Sequence, residues 1–401
     1  MTGAAAYRSE AAGPSVPLGI VAGGGALPRE IADAAARSGR AVVIVALEGE
    51  CEPATFAPHA VTVVKWGEIG RMIRTFETAG VADIVIVGSV TRPDLTQIRT
   101  DAGFFLSLPE IVGIIVAGGD DSVLRRVVRF FEQHGFQVLA PDAVAPGLLA
   151  SVGPIGRSSS DGAAARDIAV GLDVVARLAP FDIGQAIVVR DGKILAIEAA
   201  EGTDRMLDRL VRRVKFDGAR AGVLVKRSKP GQERRVDLPA IGPATVSRVA
   251  ALGLAGIAVE AGATLVAERE MVAEEADRAG LFVEGIELAM KPVAGVPGLP
   301  SLEDDRAIAA GVASALGSMF KSEAIIVARR RVLAVEAGEG AIEAIGRAAR
   351  FRSWGLGRWL GGAGIAALSE LAAKRADVKA AAREAGLQLV VLNRTTSGDR
   401  A

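Results

Sequence analysis

Over the first 150 residues, short unbroken apolar runs alternate with amphipathic stretches. LGIVA (18–22), AVVIVAL (41–47), VTVVK (61–65) and ADIVIVGSV (82–90) are apolar at nearly every position, as strands buried on both faces are. Between them, Leu27 to about Ser38 and GEIGRMIRTFETAG (67–80) carry apolar residues at helical spacing. GGDDSVLRRVVRFFEQHG (118–135) predicts a further helix, with Asp120 and Asp121 suited to its N-terminus. The alternation predicts a doubly wound parallel sheet over 17–153. Such sheets bind ligands beyond the carboxyl ends of their strands. Here those ends carry Gly23-Gly24-Gly25 and Gly88-Ser89-Val90-Thr91-Arg92-Pro93. The glycine turn is no dinucleotide fingerprint, because Pro28 stands where the third glycine is needed. A phosphate-cradling turn and a plain strand–helix turn both remain open, with Ser89, Thr91 and Arg92 on the same edge favouring ligand contact.

After the linker PIGRSSSDG (154–162), a second α/β pattern spans 160–290. A helix at 163–178 precedes QAIVVRDG and KILAIEAA, paired across Asp191-Gly192, a strong hairpin signal. Then come a helix from about Thr203, the strand AGVLVKRS, a helix at 243–252, AGIAVE, TLVAE, a helix near 269–279 and LFVEGI. A Pro/Gly-rich linker, KPVAGVPGLPSL (291–302), leads to a tail that is not random. AIIVARRRVLAVEAGEGAIEAI (324–345) echoes AIVVRDGKILAIEAAEGTDRML (186–207), and DVKAAAREAGLQLVVLN (377–393) echoes EMVAEEADRAGLFVEGI (270–286). Residues 303–396 therefore read as a shortened, degenerate copy of the second domain, docked on it. Glu336 and Glu339 fall where Glu198 and Glu201 stand, but Ala341 and Ile342 replace Thr203 and Asp204, and RFRSWGLGRWLGGAG (350–364) replaces the lysine-rich loop. Trp354 and Trp359 are its expected buried anchors, with an interfacial membrane contact as the alternative.

Composition narrows the chemistry. The 401 residues carry 47 basic and 47 acidic side chains, so no basic field invites nucleic acid. One cysteine, Cys51, excludes a disulfide framework and a zinc cluster. Only His59 and His134 are present, and His134 reads as a helix-terminal residue. A hydrolytic metal would then be magnesium, or manganese in its place, on oxygen ligands. No run approaches the roughly 18 apolar residues of a membrane span. A cytoplasmic chain is expected.

The densest chemistry lies in LVKRSKPGQERRVDLPAIG (224–242). Lys226, Arg227, Lys229, Arg234 and Arg235, with Arg248 beyond, surround Asp237 in the apolar frame Val236–Leu238-Pro239. A carboxylate so framed needs cations, a metal or hydrogen bonds. Alternatively, Asp237 caps the helix that starts at Pro243, and the loop before it is solvated. Glu198, Glu201 and Asp204 are secondary acidic candidates.

In order along the chain, LGIVAGGGALP, GSVTRPD, GGDDSVLRRVVRFFEQHGF, DIGQAIVV, ILAIEAAEGTDRML, LVKRSKPGQERRVDLPAIG and LGLAGIAVEAG resemble the LpxI-type UDP-2,3-diacylglucosamine pyrophosphatases of lipid A synthesis, over about residues 17–288. The resemblance implies a magnesium-dependent hydrolase of two α/β domains with substrate between them. It yields UMP and 2,3-diacylglucosamine 1-phosphate. Asp237 takes the place of the family's essential aspartate, either holding metal or orienting water. The resemblance also turns Gly24, Gly25, Ser89, Thr91 and Asp120 of the first domain toward substrate, with Gln185, Thr203, Lys226, Lys229 and Gln232 of the second. A diacylated substrate implies peripheral contact with the inner membrane, with FFLSLPEIVGIIVAGG (104–119) as candidate groove wall and plain core helix as the alternative. The resemblance suggests a dimer; a monomer whose tail replaces the partner is the other expectation. The rival reading is a non-catalytic nucleotide-sugar sensor or carrier.

Overall fold

The computed structural model describes residues 16–90, 101, 120–214, 218–229, 232–288, 304–317, 319–352 and 364–392. Thr91 and Arg92, the 104–119 segment, Trp354 and Trp359 lie outside them. The chain divides into two compact units.

The first unit is built on five parallel strands, β1 (Leu18–Ala22), β2 (Val42–Leu47), β3 (Val61–Val64), β4 (Asp83–Val87) and β5 (Gln137–Leu139), in the order β3-β2-β1-β4-β5. Helices α1 (Leu27–Arg37), α2 (Ile69–Thr78) and α3 (Asp120–Gln133) accompany it. Alternate strand residues enter two cores: Val21, Val45 and Ile84 pack with Phe76 and Phe131, while Ile20, Ile44 and Val85 pack with Ile31 and Ala35. That is why the strands read as continuous apolar runs.

At the amino ends of the strands, Asp83 is 2% and Arg40 6% exposed. The Arg40 guanidinium donates to the Asp83 carboxylate at 2.6 Å and to the Val16 carbonyl at 2.8 Å. Removing one partner of a buried pair leaves the other charge desolvated. Arg40→Met is expected to cost about 3–5 kcal/mol of stability, read by denaturant unfolding. A loss under about 1 kcal/mol would show that the pair behaves as a surface bridge.

In the second unit, β6 (Gly153–Pro154), β7 (Ala186–Arg190), β8 (Lys193–Ile197), β9 (Val223–Lys226), β11 (Gly256–Glu260) and β13 (Phe282–Ile286) form a mixed sheet. Its order is β6-β13-β11-β9-β7-β8, and β10 (Ala240–Ile241) pairs separately with β12 (Leu265–Val266). The β7–β8 turn places Asp191 and Gly192 at φ 51° and 72°, the left-handed pair that a two-residue hairpin requires. One face of the sheet packs α5 (Thr203–Arg213), α6 (Pro243–Ala251) and α7 (Arg269–Ala279). The opposite face packs α4 (Gly162–Leu178).

The tail belongs to this unit. Strands β14 (Ala324–Ala328), β15 (Arg331–Val335), β16 (Ile365–Leu368) and β17 (Gln388–Val391) form a second sheet, ordered β15-β14-β16-β17. Helix α8 (Asp305–Leu316) shares one apolar core with α4 and with the facing sides of both sheets. On the far side lie α9 (Ala341–Arg352), α10 (Glu370–Lys374) and α11 (Ala376–Glu384). Sequence likeness aligns β17 with β13. In the sheet β17 instead lies parallel beside β16, the place β11 takes beside β9, because the shorter tail has no intervening strand.

Candidate active site

In the first unit the site is dictated by strand order. The sequence runs outward from β1 to β2 and β3 on one side and from β4 to β5 on the other. The crevice beyond β1 and β4 is thus the switch point where such sheets bind ligands. There the two glycine-bearing loops are locked together: Gly24 N–H donates to the Ser89 carbonyl at 2.7 Å, and Ser89 N–H to the Gly24 carbonyl at 2.9 Å. A Cβ on Gly23 would lie 2.4 Å from the Ser89 carbonyl oxygen. Gly88, at φ 102°, would put one 2.7 Å from the Gly23 backbone. Only glycine permits this approach. Gly25 and Ser89 are left exposed on the rim. Asp120 opens α3.

Residues Glu233–Leu238 also belong to the first unit, although they follow β9 in sequence. Val236 packs into that unit's core. Arg235 bonds both oxygens of Glu233 at 2.7 and 2.8 Å and reaches Glu132 at 2.6 Å. The hydrogen bond from Arg235 holds the Glu233 carboxyl below its ordinary range, outweighing burial. Asp237 N–H closes a turn on the Glu233 carbonyl at 3.0 Å. Asp237 itself is half-buried rather than enclosed. The capping alternative is excluded: the N-cap of α6 is Gly242.

In the second unit the polar residues gather at the carboxyl end of β9. Lys226, 6% exposed, donates from Nζ to Thr203 Oγ1 and to the Ala240 carbonyl, both at 2.9 Å. Thr203 donates to Glu198 Oε2 at 3.1 Å, and the same oxygen accepts Gln185 N–H at 3.1 Å. Lys229, 8% exposed, pairs with Asp182. Gln232 Oε1 accepts Lys229 N–H at 2.6 Å and Gln185 Nε2 at 3.3 Å. Gln232 is 9% exposed, and its Nε2 has no hydrogen-bond partner among the described residues. A buried donor left open costs free energy unless a ligand accepts from it. Gln185, Thr203, Lys226, Lys229 and Gln232 are therefore one constellation of cations and donors.

The cations do not all converge as the sequence implies. Arg248 bonds Asp208 at 2.8 Å and lies 3.5 Å from Asp204. Arg227 reaches the Leu172 carbonyl at 3.2 Å. Of the secondary acids, Glu198 orients Thr203, whereas Glu201 is bound by Arg209 and Arg347 at 2.8 and 3.0 Å. Gln232's open donor and the arginines on Glu201 escaped sequence reasoning, and no spacing signal marks either. His134 donates from Nδ1 to the Phe130 carbonyl at 2.8 Å, as a helix-end residue.

Among the described residues no group of three or more His, Cys, Asp or Glu side chains is placed to hold a metal. A protein cage is thus absent there, but magnesium is commonly held by one or two carboxylates together with substrate phosphates. Asp237 is a hard donor of that kind.

The switch point of the first unit and the lysine constellation of the second each have the chemistry with which α/β enzymes take anionic, phosphate-bearing ligands. The LpxI N-terminal domain family model matches residues 17–148, and the LpxI C-terminal domain model residues 151–284. Over 279 residues the chain is 39% identical to the UDP-2,3-diacylglucosamine pyrophosphatase LpxI of Caulobacter vibrioides, a match covering 69% of this chain and 99% of that protein. The chain belongs to the LpxI family.

Proposed function

We propose that this chain hydrolyses the diphosphate bond of UDP-2,3-diacylglucosamine, releasing UMP and 2,3-diacylglucosamine 1-phosphate for lipid A synthesis. The observation that carries this reading is the pair of buried lysines, Lys226 and Lys229, beside the open Gln232 amide in a chain of this family. Diphosphate hydrolysis demands little covalent chemistry from the protein; it demands positioning and compensation of charge on phosphate oxygens. Lys226, with Thr203 bonded to it, and Lys229 supply that compensation. Gln185 and Gln232 donate to oxygen atoms. The backbone around Gly24, Gly25 and Ser89 receives the substrate from the first unit; Thr91 and Asp120 are further substrate contacts that the family resemblance implies.

Asp237 holds a divalent cation or orients the attacking water. Magnesium, or manganese in its place, would be held by Asp237 and would neutralise charge on the diphosphate oxygens. Release of UMP is therefore expected to stop in EDTA and to return on adding magnesium. Full activity in chelator would assign charge neutralisation to the lysines alone. The same assay separates an enzyme from a nucleotide-sugar sensor, which would bind the substrate and release no UMP.

The two acyl chains require the active protein to meet the cytoplasmic face of the inner membrane peripherally. No helix of the described residues is long and apolar enough to cross a membrane. Residues 104–119 are the proposed groove wall, tested by crosslinking from a photoreactive acyl chain; labelling confined to other segments would refute that assignment.

A further inference from the structure

The contact between the tail and the catalytic half has a reciprocal form. Strand β7 pairs antiparallel with β8 and β9, and β14 pairs antiparallel with β15 and β16. Both hairpins carry a register shift at the same step, Val188/Val189 and Ile326/Val327. Each preceding helix is capped by an aspartate: Asp161 accepts Ala164 N–H and Asp304 accepts Ala307 N–H, both at 2.7 Å. Each hairpin turn is held by a carboxylate from that helix. Asp167 accepts the N–H groups of Asp191 and Gly192. Asp305 accepts those of Arg329 and Arg330, two non-glycine residues at φ 56° and 60°. In the shared core, Ile187, Val189, Ile194 and Ile197 face Ile325, Val327, Val332 and Val335, their counterparts in the tail.

Where the two copies meet, Glu201 bonds Arg209 and Arg347, and Glu339 bonds Arg347 and Arg209. Glu201 corresponds to Glu339, and Arg209 to Arg347. Residue i thus meets j and j meets i, the signature of a two-fold isologous contact. All four side chains are largely buried. Burial would push the Glu339 carboxyl up, but the charges of Arg347 and Arg209 outweigh it and hold it below its ordinary range.

Among its described residues the tail lacks the chemistry. By strand register, Leu368 stands where Lys226 stands, since Ala324 faces the one and Ala186 the other. Ala341 replaces Thr203. Glu336, the counterpart of Glu198, turns its Oε1 onto the N–H groups of Gly338 and Gly340 instead of leaving a hydroxyl to serve a lysine. Yet the tail touches the catalytic loop at two places. Ala200 packs against the tail's own core, and Arg347 holds Glu201, two residues before Thr203.

We propose that residues 304–392 stand in place of a second subunit, as a silent copy on a pseudo-two-fold interface, and that Arg347 is a positioning residue that acts through Glu201 on Thr203. The positioning role rests on reading Thr203 and Lys226 as substrate contacts. Residues that orient a ligating or catalytic group change function by about 10–100-fold when removed.

In the full chain, Arg347→Met is expected to raise KM about tenfold while kcat changes much less, with partial recovery in Arg347→Lys. Glu339→Gln removes charge from the same network but leaves both arginines on Glu201, so it lowers Tm without moving KM. Thr203→Ala raises KM as well. A wild-type KM in Arg347→Met with an elevated KM in Thr203→Ala overturns the positioning role. A wild-type KM in Thr203→Ala overturns the site reading beneath it. For the subunit role, a protease site placed in the 291–302 linker of the full chain is cleaved. The two pieces are expected to elute as one particle with unchanged KM; separation into free fragments overturns it.

Discussion

Asp237→Asn is expected to abolish turnover in a protein that still folds and still binds substrate. The change removes one charge and no volume, and Val236 beside it keeps its place in the core of the first unit. The turn is closed by the Asp237 N–H on the Glu233 carbonyl and braced by Arg235 on Glu233 and Glu132. A carboxylate that holds a cation or orients water acts on the transition state more than on the ground state. Loss of such a group costs about 10²–10⁴-fold in kcat, with KM and Tm close to wild type. Steady-state release of UMP and thermal unfolding check both halves. Near-normal kcat would remove Asp237 from the chemistry; a collapsed Tm would make it structural.

Lys226→Met should cost about 10²–10³-fold in kcat/KM, the range for removing one preorganised donor to a developing anion. The lysine is buried at the end of β9, so its charge was brought out of water at a cost that a neutral fold would not need. Strand β16 pairs with β14 as β9 pairs with β7, and at the corresponding register it carries Leu368, fully buried. An apolar side chain is therefore compatible with the local fold, and Met, of similar length, should leave Tm within a few degrees. If kcat/KM stayed near wild type, Lys226 would have a structural role, with Thr203 and the Ala240 carbonyl among its partners.

Much of the architecture is legible in the sequence alone. The four apolar runs of the first unit became strands β1 to β4 because residues buried on both faces have no freedom to be polar, whereas the three-residue β5 opens on an exposed glutamine and carried no such signal. Asp191-Gly192 announced its hairpin because few residue pairs accept two left-handed conformations in succession. A hairpin also forms at 324–335, although Arg329 and Arg330 in its turn carry no such signal; only its likeness to 186–197 marked it. Within the site, the glycines at 23–25 and 88 and the lysines at 226 and 229 were marked by residue type alone.

What sequence determined by itself was thus local: which segments are strands and helices, where the turns fall, and which residue types could meet a phosphate. Tertiary structure decided the partners. It assigned Glu233–Leu238, and Asp237 with it, to the first unit, through a core contact of Val236 and an ion pair to Glu132 that no spacing reveals. It paired Glu201 with Arg347 from 146 residues away. It left Gln232 Nε2 buried and without a hydrogen-bond partner among the described residues. The reason is physical. Backbone preference and hydrophobic period act over a few neighbouring residues, whereas charge pairing and desolvation depend on groups that only the folded chain brings within a few ångströms.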